Sequence, residues 1–419
     1  MSDRYDCIIL GAGASGLFAA SMLLKLTSSK ASVLLIDGND RCGKKLALTG
    51  SGRCNLSNEN ACAVKYHTDD PELLESCLDD FTYWDTVDFF ENTLGVVTVS
   101  DDDGLIYPST LRAATVVDSF RFYLEENGCE FKFGSKCAKI FCEGRDYKVI
   151  LEDGSAYMTN HLICATGGFT YPSTGSTGAV KTLLKGIVAP EDFVGFKPAL
   201  TSLNSKMAGI KALAGIRCRG IVELTDGKAV LDYSEGEVIF TKEGGISGIC
   251  VMDISGKAVE MLDRGNKPTV NVNLLGLAED DVYPMLEFRR EQFGSRNITA
   301  ALTGMMPRVL CEFVCRFAGF DPADSISGLG DQDLRKLAEA VCALKIPVDG
   351  YGGTDKAQVT SGGVKLSCMN ESMQYRSHKG LYIIGEALNV DGRCGGFNLQ
   401  WAWSSAAAAA KEVASRCSN

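Results

Sequence analysis

Three glycines and one acidic residue near the start of the chain have the spacing of a dinucleotide-binding motif. Gly11, Gly13 and Gly16 follow an apolar run at 7–10, and Asp37 ends a second apolar run about 20 residues further on. The glycines allow a tight turn, a close approach of backbone to a pyrophosphate, and close packing of a helix on a strand, while the carboxylate can accept hydrogen bonds from ribose hydroxyls. The alternative is a turn that serves helix packing alone. The flanking apolar runs and the acid favour dinucleotide binding.

Three later segments narrow the predicted nucleotide to FAD. Thr166 and Gly167 end another buried strand in small residues, where a ligand could pass close to the backbone. Glu386 follows the apolar run at 381–384, so its carboxylate would stand at the ligand-binding end of a strand and could bond a ribityl hydroxyl. The segment 395–398 opens an alanine-rich helix. A helix N-terminus there would place backbone donors and partial positive charge beside the flavin ring.

Three sequence strings carry a resemblance to a known family. They are GSGRCN at 50–55, AQVTSGGV at 357–364 and NVDGRCGGFNLQWA at 389–402. The chain resembles the glutathione reductase superfamily and, more narrowly, the aminoacetone oxidase-like FAD-binding flavoprotein family, which includes bacterial 3-dehydro-bile acid reductases. The resemblance implies an α/β fold, with a Rossmann-like FAD-binding domain of the glutathione reductase type. An insertion with a β-barrel part and a helical part would interrupt that domain.

The resemblance also implies which residues hold the cofactor, bound without a covalent link. The implied set is Gly11, Gly13, Ala14, Ser15, Gly16, Asp37, Lys45, Arg53, Cys54, Asn55, Cys137, Thr166, Gly167, Glu386, Asp391, Gly396, Phe397, Asn398 and Leu399. Cys137 stands where relatives more often have valine and would offer only backbone atoms to adenine. One departure is Ile249, where many relatives have proline. No catalytic residue is assigned. Tyr171 could donate a proton to a substrate, although the sequence favours an ordinary loop tyrosine.

The pattern of apolar residues predicts the remaining elements. Helices are expected at 71–92, 110–127 and 398–414, and over most of 279–344. A β-rich region spans about 191–272, with a hairpin at Asp226-Gly227. We therefore predict an FAD-binding domain made of 1–190 and 356–419, a β-rich insertion at 191–278 and a helical part at 279–355. Trp401 and Trp403, within the last predicted helix, are expected in the core.

Composition limits the partners and the location. The formal net charge is −11, which argues against a nucleic-acid partner. The chain has 17 cysteines but lacks a secretory signal at its start and a membrane-spanning apolar run, so we expect a cytoplasmic protein with reduced, mostly buried cysteines. Cys54 and Cys394 are expected to be packing residues, with a redox pair as the alternative. Three dispersed histidines (His67, His161 and His378) suggest no metal site.

Several functions remain open at this level. The resemblance favours an FAD-dependent enzyme that uses NAD(P)H, as a transient reductant, to reduce an activated C=C bond in a small molecule such as a 3-oxo-Δ4 steroid or bile acid. The first alternative is a flavin amine oxidase acting on aminoacetone or a similar small amine. A second is a non-catalytic flavin-binding or RNA-associated module. A plain NAD-dependent dehydrogenase would also fit the opening motif. The sequence leaves the oligomeric state open.

Overall fold

The computed structural model describes residues 3–417 and contains two compact units. One unit is formed by Met1–Lys197 with Gln358–Asn419, and the other by Pro198–Ala357. Among the described residues, no helix has the length and apolar character that a membrane span requires.

A five-stranded parallel sheet forms the centre of the first unit. Its strand order is Leu381–Ile383, Leu162–Cys164, Cys7–Leu10, Val33–Ile36 and Glu130–Lys132. The first four strands are buried along their whole length, which explains their continuous apolar sequences. Since the strands are parallel, their carboxyl ends share one edge of the sheet. Gly11, Asp37, Ala165 and Ile384 therefore follow their strands at that edge.

Two long helices pack on each other beside this sheet. The first helix, Ala14–Leu26, and the last helix, Phe397–Cys417, are both largely buried, and small residues at 406–410 let them approach closely. Phe18 of the first helix lies 5.3 Å from Trp403 of the last, measured between ring centroids. The Trp403 indole N–H donates to the Leu56 carbonyl at 2.8 Å. Trp401 and Trp403 are both core residues, as predicted.

Smaller elements surround the sheet and correct two of the helix predictions. The 71–92 segment is two helices, because the Thr82 side chain caps the second through a capping box with Asp85. The 110–127 helix starts only at Ala113, since Leu111 has a left-handed backbone with φ 49°. Between the first and the last helix, this unit contains the four-residue segment Thr49–Gly52 and the helices Pro71–Asp80, Tyr83–Asn92, Ala113–Glu126 and Ala179–Leu183. Its other strands are Asp3–Tyr5, Ser57–Asn58, Tyr66–Thr68, Thr98–Ser100, Leu105–Pro108, Cys137–Glu143, Asp146–Leu151, Ala156–Thr159, Val359–Val364 and Val390–Gly392.

The second unit combines one sheet with several helices. The sheet order is Leu344–Pro347, Thr269–Asn273, Arg217–Thr225, Val230–Phe240, Gly245–Ser247, Leu203–Asn204 and Gly350–Tyr351, and all its pairings are antiparallel. The hairpin at Asp226-Gly227 is confirmed. The helices are Ile249–Asp263, Glu279–Gln292, Ile298–Leu302, Arg308–Phe317 and Asp331–Cys342. The uniform β-rich prediction for 191–272 is therefore wrong at Ile249–Asp263, a helix that begins directly after Gly248. Residues 193–197 and the strand Val359–Val364 belong to the first unit, where the strand that begins at Phe193 pairs with Val359–Val364 in a separate two-stranded sheet.

Candidate functional site

The glycine turn before the first helix has the properties of an anion cradle. Gly13 is the N-cap of this helix; no side chain caps it, and its first turn contains no acidic residue. A Cβ atom at Gly13 would meet nothing within 4 Å, whereas one at Gly16 would lie 1.8 Å from the Gly11 carbonyl oxygen. Gly16 is therefore required for packing, while Gly13 faces open space. Uncapped backbone N–H groups at a helix N-terminus suit a phosphate group.

Asp37 holds the turn and the neighbouring loop together. Its two carboxylate oxygens accept hydrogen bonds from the backbone N–H groups of Ala12 and Asn39, each at 2.7 Å. The Asp37 carbonyl accepts from the Ser135 N–H at 3.1 Å. Cys137 begins the strand two residues later, and burial raises the pKa of its thiol to about 12. The loop that leads to Cys137 thus lies against the residue predicted to hold the ribose.

Four polar residues from distant segments meet around Glu386, and we call them the Lys45–Glu386 cluster: Lys45, Thr170, Thr360 and Glu386. The Lys45 ammonium donates to Glu386 Oε2 at 2.6 Å and to the Thr170 hydroxyl at 2.9 Å. Glu386 Oε1 accepts from the Thr360 N–H at 2.7 Å and from the Thr170 hydroxyl at 3.2 Å. The Lys45 and Glu386 side chains are only 23% and 21% exposed. Thr170 and Thr360 were missing from the predicted site, although Thr360 lies within the AQVTSGGV string.

This cluster adjoins the glycine turn and two unsatisfied hydroxyl groups. A Cβ atom at Gly385 would lie 2.6 Å from the Ser15 hydroxyl, so the residue before Glu386 contacts the first helix. The hydroxyls of Thr166 and Ser176 are buried and have no hydrogen-bond partner within residues 3–417. A Cβ atom at Gly167 would lie 3.7 Å from the Ser176 hydroxyl. Buried polar groups are normally paired, so unpaired hydroxyls beside an anion cradle fit a polar ligand.

The start of the last helix is tied to the 50–58 loop. Gly396 has φ 92°, and a Cβ atom there would lie 2.4 Å from the Ser57 carbonyl oxygen. The Asn55 amide is satisfied when its oxygen accepts from the Gly396 N–H at 3.1 Å and its nitrogen donates to the Ser57 carbonyl at 2.9 Å. Asn58 donates to the Gly395 carbonyl at 2.8 Å. The two predicted flavin segments therefore meet in the structure.

The other two predicted residues of this loop have different environments. Arg53 is exposed; its Nε donates to the Gly50 carbonyl, and its guanidinium lies 5.5 Å from the centre of the Tyr107 ring. Cys54 is fully buried with a left-handed backbone, and burial raises the pKa of its thiol to about 12. A thiol with this pKa is protonated at neutral pH, which favours a packing role over redox chemistry.

The last group of predicted residues surrounds a short ribbon formed by Tyr66–Thr68 and Val390–Gly392. The Asn398 amide, in the first turn of the last helix, bonds both the N–H and the carbonyl of Gly392 at 2.8 Å. Phe397 is buried and Leu399 half-buried beside it. The Asp391 carboxylate contacts the His67 ring at 3.1 Å between Oδ2 and Nδ1. His67 was not among the predicted site residues, since its strand pairs with a segment more than 300 positions away.

The sequence matches one protein family over nearly its whole length. The family is described as HI0933-like protein Rossmann domain, and the match covers residues 5–412. The chain belongs to this family. Within it, the chain is 32% identical over 410 residues to the 3-dehydro-bile acid delta(4,6)-reductase of Clostridium scindens, covering 97% of this chain and 98% of the relative. It is 27% identical over 422 residues to the ribosomal RNA dihydrouridine synthase of Escherichia coli, covering 98% of each.

A solved structure has a similar fold. The 3-ketosteroid delta1-dehydrogenase of Sterolibacterium denitrificans, determined in complex with 1,4-androstadiene-3,17-dione, aligns with a TM-score of 0.54 at 12% identity. The alignment covers 99% of this chain and 100% of the dehydrogenase. Membership of the HI0933-like family and this fold confirm the predicted α/β architecture with a Rossmann-like FAD-binding domain. They also support the predicted enzyme class, an FAD-dependent oxidoreductase.

Proposed function

We propose that this HI0933-like protein uses NAD(P)H to reduce a C=C bond conjugated to a carbonyl group in a small molecule such as a 3-oxo-Δ4 steroid or bile acid. The observation that carries the proposal is the full-length match, at 32% identity, to a bile acid delta(4,6)-reductase. We also propose that the chain belongs to the narrower aminoacetone oxidase-like family, since that family includes such reductases.

The two curated relatives have names that imply the same kind of bond change. A delta(4,6)-reductase saturates C=C bonds of a steroid nucleus, and a dihydrouridine synthase saturates the C5=C6 bond of uracil. Both bonds can be conjugated to a carbonyl group, which draws electrons away from the carbon that receives hydride. An electron-poor C=C bond is therefore the substrate feature that we carry over to this chain.

FAD, when bound, supplies the hydride-transfer chemistry. We propose that the pyrophosphate lies at the N-terminus of the first helix, above Gly13, and that Asp37 accepts hydrogen bonds from the ribose. The Lys45–Glu386 cluster would bond the ribityl chain through the remaining lone pair on Oε2 of the Glu386 carboxylate. The first turn of the last helix would direct backbone N–H groups and partial positive charge toward the flavin ring.

An anaerobic spectroscopic experiment tests this proposal. NADH and NADPH are added separately to the purified yellow protein, and an enone such as a 3-oxo-Δ4 bile acid is then mixed with the reduced protein. We expect one nicotinamide to bleach the flavin absorbance and the enone to restore it. If neither nicotinamide bleaches the flavin, with or without the enone, the proposal is wrong.

A second candidate function is reduction of uracil in ribosomal RNA. It is favoured by the full-length matches to the ribosomal RNA dihydrouridine synthases of Escherichia coli and Haemophilus influenzae, both at 27% identity. The net charge of −11 favours the small-molecule substrate, because RNA phosphates are bound by clustered lysine and arginine. Restoration of the flavin absorbance by unmodified ribosomal RNA, but not by enones, would select this alternative.

The same protein sample tests the amine oxidase alternative. Aminoacetone is added in air without nicotinamide, and hydrogen peroxide is measured. We expect no peroxide above the rate of a sample without amine. Sustained peroxide release would replace the reductase proposal with an oxidase.

We also propose a cytoplasmic location. All 17 cysteines lie within the described residues, and none of them forms a disulfide bond there. Reduced cysteines in this number fit a reducing compartment.

A further inference from the structure

We infer that His67 is the proton donor of the proposed reduction and that Asp391 positions it. The inference rests on the proposed function, because saturation of a C=C bond requires a proton for one carbon as well as a hydride for the other. No residue of the chain had been assigned that step. The location of His67, its contact with Asp391 and its access to solvent support this role.

His67 and Asp391 occupy directly opposed positions of the ribbon. In an antiparallel pair, opposed residues project on the same face of the sheet. The contact of 3.1 Å joins Nδ1 of the imidazole to Oδ2 of the carboxylate. Because a carboxylate oxygen accepts hydrogen bonds, we assign the proton of this contact to Nδ1. The Nε2 atom is then the ring atom that can donate a proton elsewhere.

The carboxylate of the pair is buried, whereas the imidazole is accessible to solvent. Asp391 is 5% exposed, whereas His67 is 49% exposed. A buried carboxylate that accepts the Nδ1–H bond holds the ring in one tautomer and orientation, as in other histidine–carboxylate pairs. The exposed half of the ring can reach a substrate and recover a proton from water between turnovers.

The ribbon is fixed to the start of the last helix, where the flavin ring is proposed to lie. On the His67 strand, the neighbouring Tyr66 hydroxyl donates to the Phe397 carbonyl at 2.8 Å. On the Asp391 strand, the neighbouring Gly392 exchanges two hydrogen bonds with the Asn398 amide. Both neighbours of the pair thus contact the first turn of this helix, so the imidazole is held close to the predicted ring site.

The other two histidines are at the opposite edge of the parallel sheet. His161 immediately precedes the strand Leu162–Cys164, and His378 precedes Leu381–Ile383, so both stand at amino ends. Their Nδ1 atoms are buried and have no partner among the described residues, and burial lowers the pKa of His161. His67 is therefore the histidine placed for proton transfer beside the flavin. Tyr171, the donor considered from sequence, remains the competitor to test.

The balanced step is simple. The β-carbon of the enone receives the hydride that originates from NAD(P)H, and the C=C electron pair moves to the α-carbon. His67 Nε2 releases its proton to that α-carbon, forming a C–H bond, and water returns a proton to the ring. The products are the saturated ketone and NAD(P)⁺, with consumption of one NAD(P)H and one proton.

Stopped-flow measurement of the two half-reactions tests the inference with His67→Gln. Reduction of the flavin by NAD(P)H needs no donor to carbon, so its rate is expected to stay within about twofold. Reoxidation by the enone is expected to slow by about 100-fold. His378→Gln, a histidine at the far edge, is the control and should leave both rates unchanged. Tyr171→Phe should do the same; a selective 100-fold loss of reoxidation in that variant would transfer the role to Tyr171.

Nitrogen NMR of the imidazoles gives a readout that does not depend on turnover. The chain has only three histidines, so the His67 signals in the oxidised holoprotein are assigned by their loss in His67→Gln. We expect a protonated, hydrogen-bonded Nδ1 in the wild type. Asp391→Asn should shift the His67 signals, leave those of His161 and His378 in place, and slow reoxidation by about tenfold. Insensitivity of the His67 signals to Asp391→Asn would overturn the positioning role.

These outcomes distinguish a failure of the His67 assignment from a failure of the proposed function. If the wild-type protein reacts with the enone and His67→Gln retains its reoxidation rate, the assignment of His67 is wrong and the proposed function stands. If the wild-type flavin is never restored by an enone, the proposed function fails and the assignment fails with it. A misfolded His67→Gln variant is recognised by a changed flavin spectrum or melting temperature, and His67→Asn then replaces it.

Discussion

At Glu386, a single carboxylate connects residues from four segments of the chain. Its oxygens accept from Lys45, Thr170 and the Thr360 backbone. Glu386 was predicted because it follows a buried strand, and Lys45 was implied by the family resemblance. Thr360 was missed although it lies within the AQVTSGGV string, and His67 was missed because its partner Asp391 lies 324 positions further along the chain.

We expect Glu386→Gln to weaken both the fold and cofactor retention. The substitution leaves the partly buried Lys45 ammonium without its anion and should lower the unfolding free energy by about 1–3 kcal/mol. Denaturant unfolding and flavin content after gel filtration measure the two effects. The matched control is Glu243→Gln, which breaks an exposed pair with Lys356 and should leave the melting temperature unchanged. Equal losses in both variants would contradict the assignment.

Two alanine substitutions distinguish a binding glycine from a packing glycine. Gly13→Ala adds a Cβ atom into open space, so the apoprotein should lose no more than about 1 kcal/mol of stability, while FAD affinity falls because the atom occupies the pyrophosphate position. Gly16→Ala drives a Cβ atom into the Gly11 carbonyl and should cost the apoprotein about 3 kcal/mol. Thermal unfolding with and without added FAD separates the two. Unaltered FAD affinity in Gly13→Ala would refute the proposed cradle.

At the scale of elements, a short ribbon is held in place by the residue that follows it. Asp69, directly after Tyr66–Thr68, accepts hydrogen bonds from Leu366, Ser367 and Asn389. Burial alone would raise the pKa of Asp69, but these hydrogen bonds outweigh it and hold the pKa below its ordinary value of 3.8. Because the folded pKa lies below the unfolded one, Asp69 stabilises the fold above that value.

This pKa shift predicts a pH-dependent effect of Asp69→Asn. The variant should lose on the order of 1 kcal/mol of unfolding free energy at neutral pH. The difference from the wild type should shrink as the pH falls below about 4, where the wild-type carboxylate becomes protonated. Urea unfolding between pH 3 and 7 measures it. The exposed Asp102→Asn serves as control; a difference for Asp69→Asn that stays constant over this range would exclude the proposed cause.

The predictions of helices and strands were confirmed where a short sequence pattern defines the element. They were wrong where one prediction covered a long region that contains several elements. The opening strand–helix–strand unit follows from apolar runs and glycines within 37 residues. The helix Ile249–Asp263 was missed because strands flank it on both sides and the region was interpreted as a whole. The break at Thr82 did have a signal, a threonine followed by an acid three residues later, which the longer apolar period obscured.

At the scale of the whole molecule, the reactivity of the cysteine thiols tests whether the native protein buries them as the structure indicates. Nine of the 17 are buried, seven are half-buried, and only Cys62 is exposed. A thiol reagent such as dithionitrobenzoate should therefore modify about one thiol rapidly in the native protein and all 17 in denaturant. Cys62→Ser should remove the rapid phase. Rapid modification of several thiols in that variant would show that the buried thiols are more accessible than the structure indicates.

The last helix begins at Phe397; its first two residues bond Tyr66 and Gly392, and the preceding Gly396 bonds Asn55. During synthesis, the segments that contain Asn55 and Tyr66 are made long before the last helix. The site is therefore complete only once that helix has been synthesised. Nascent chains arrested before this helix should carry no flavin, even though the pyrophosphate turn is already made. Cofactor loading is consequently expected only after the last helix has been synthesised.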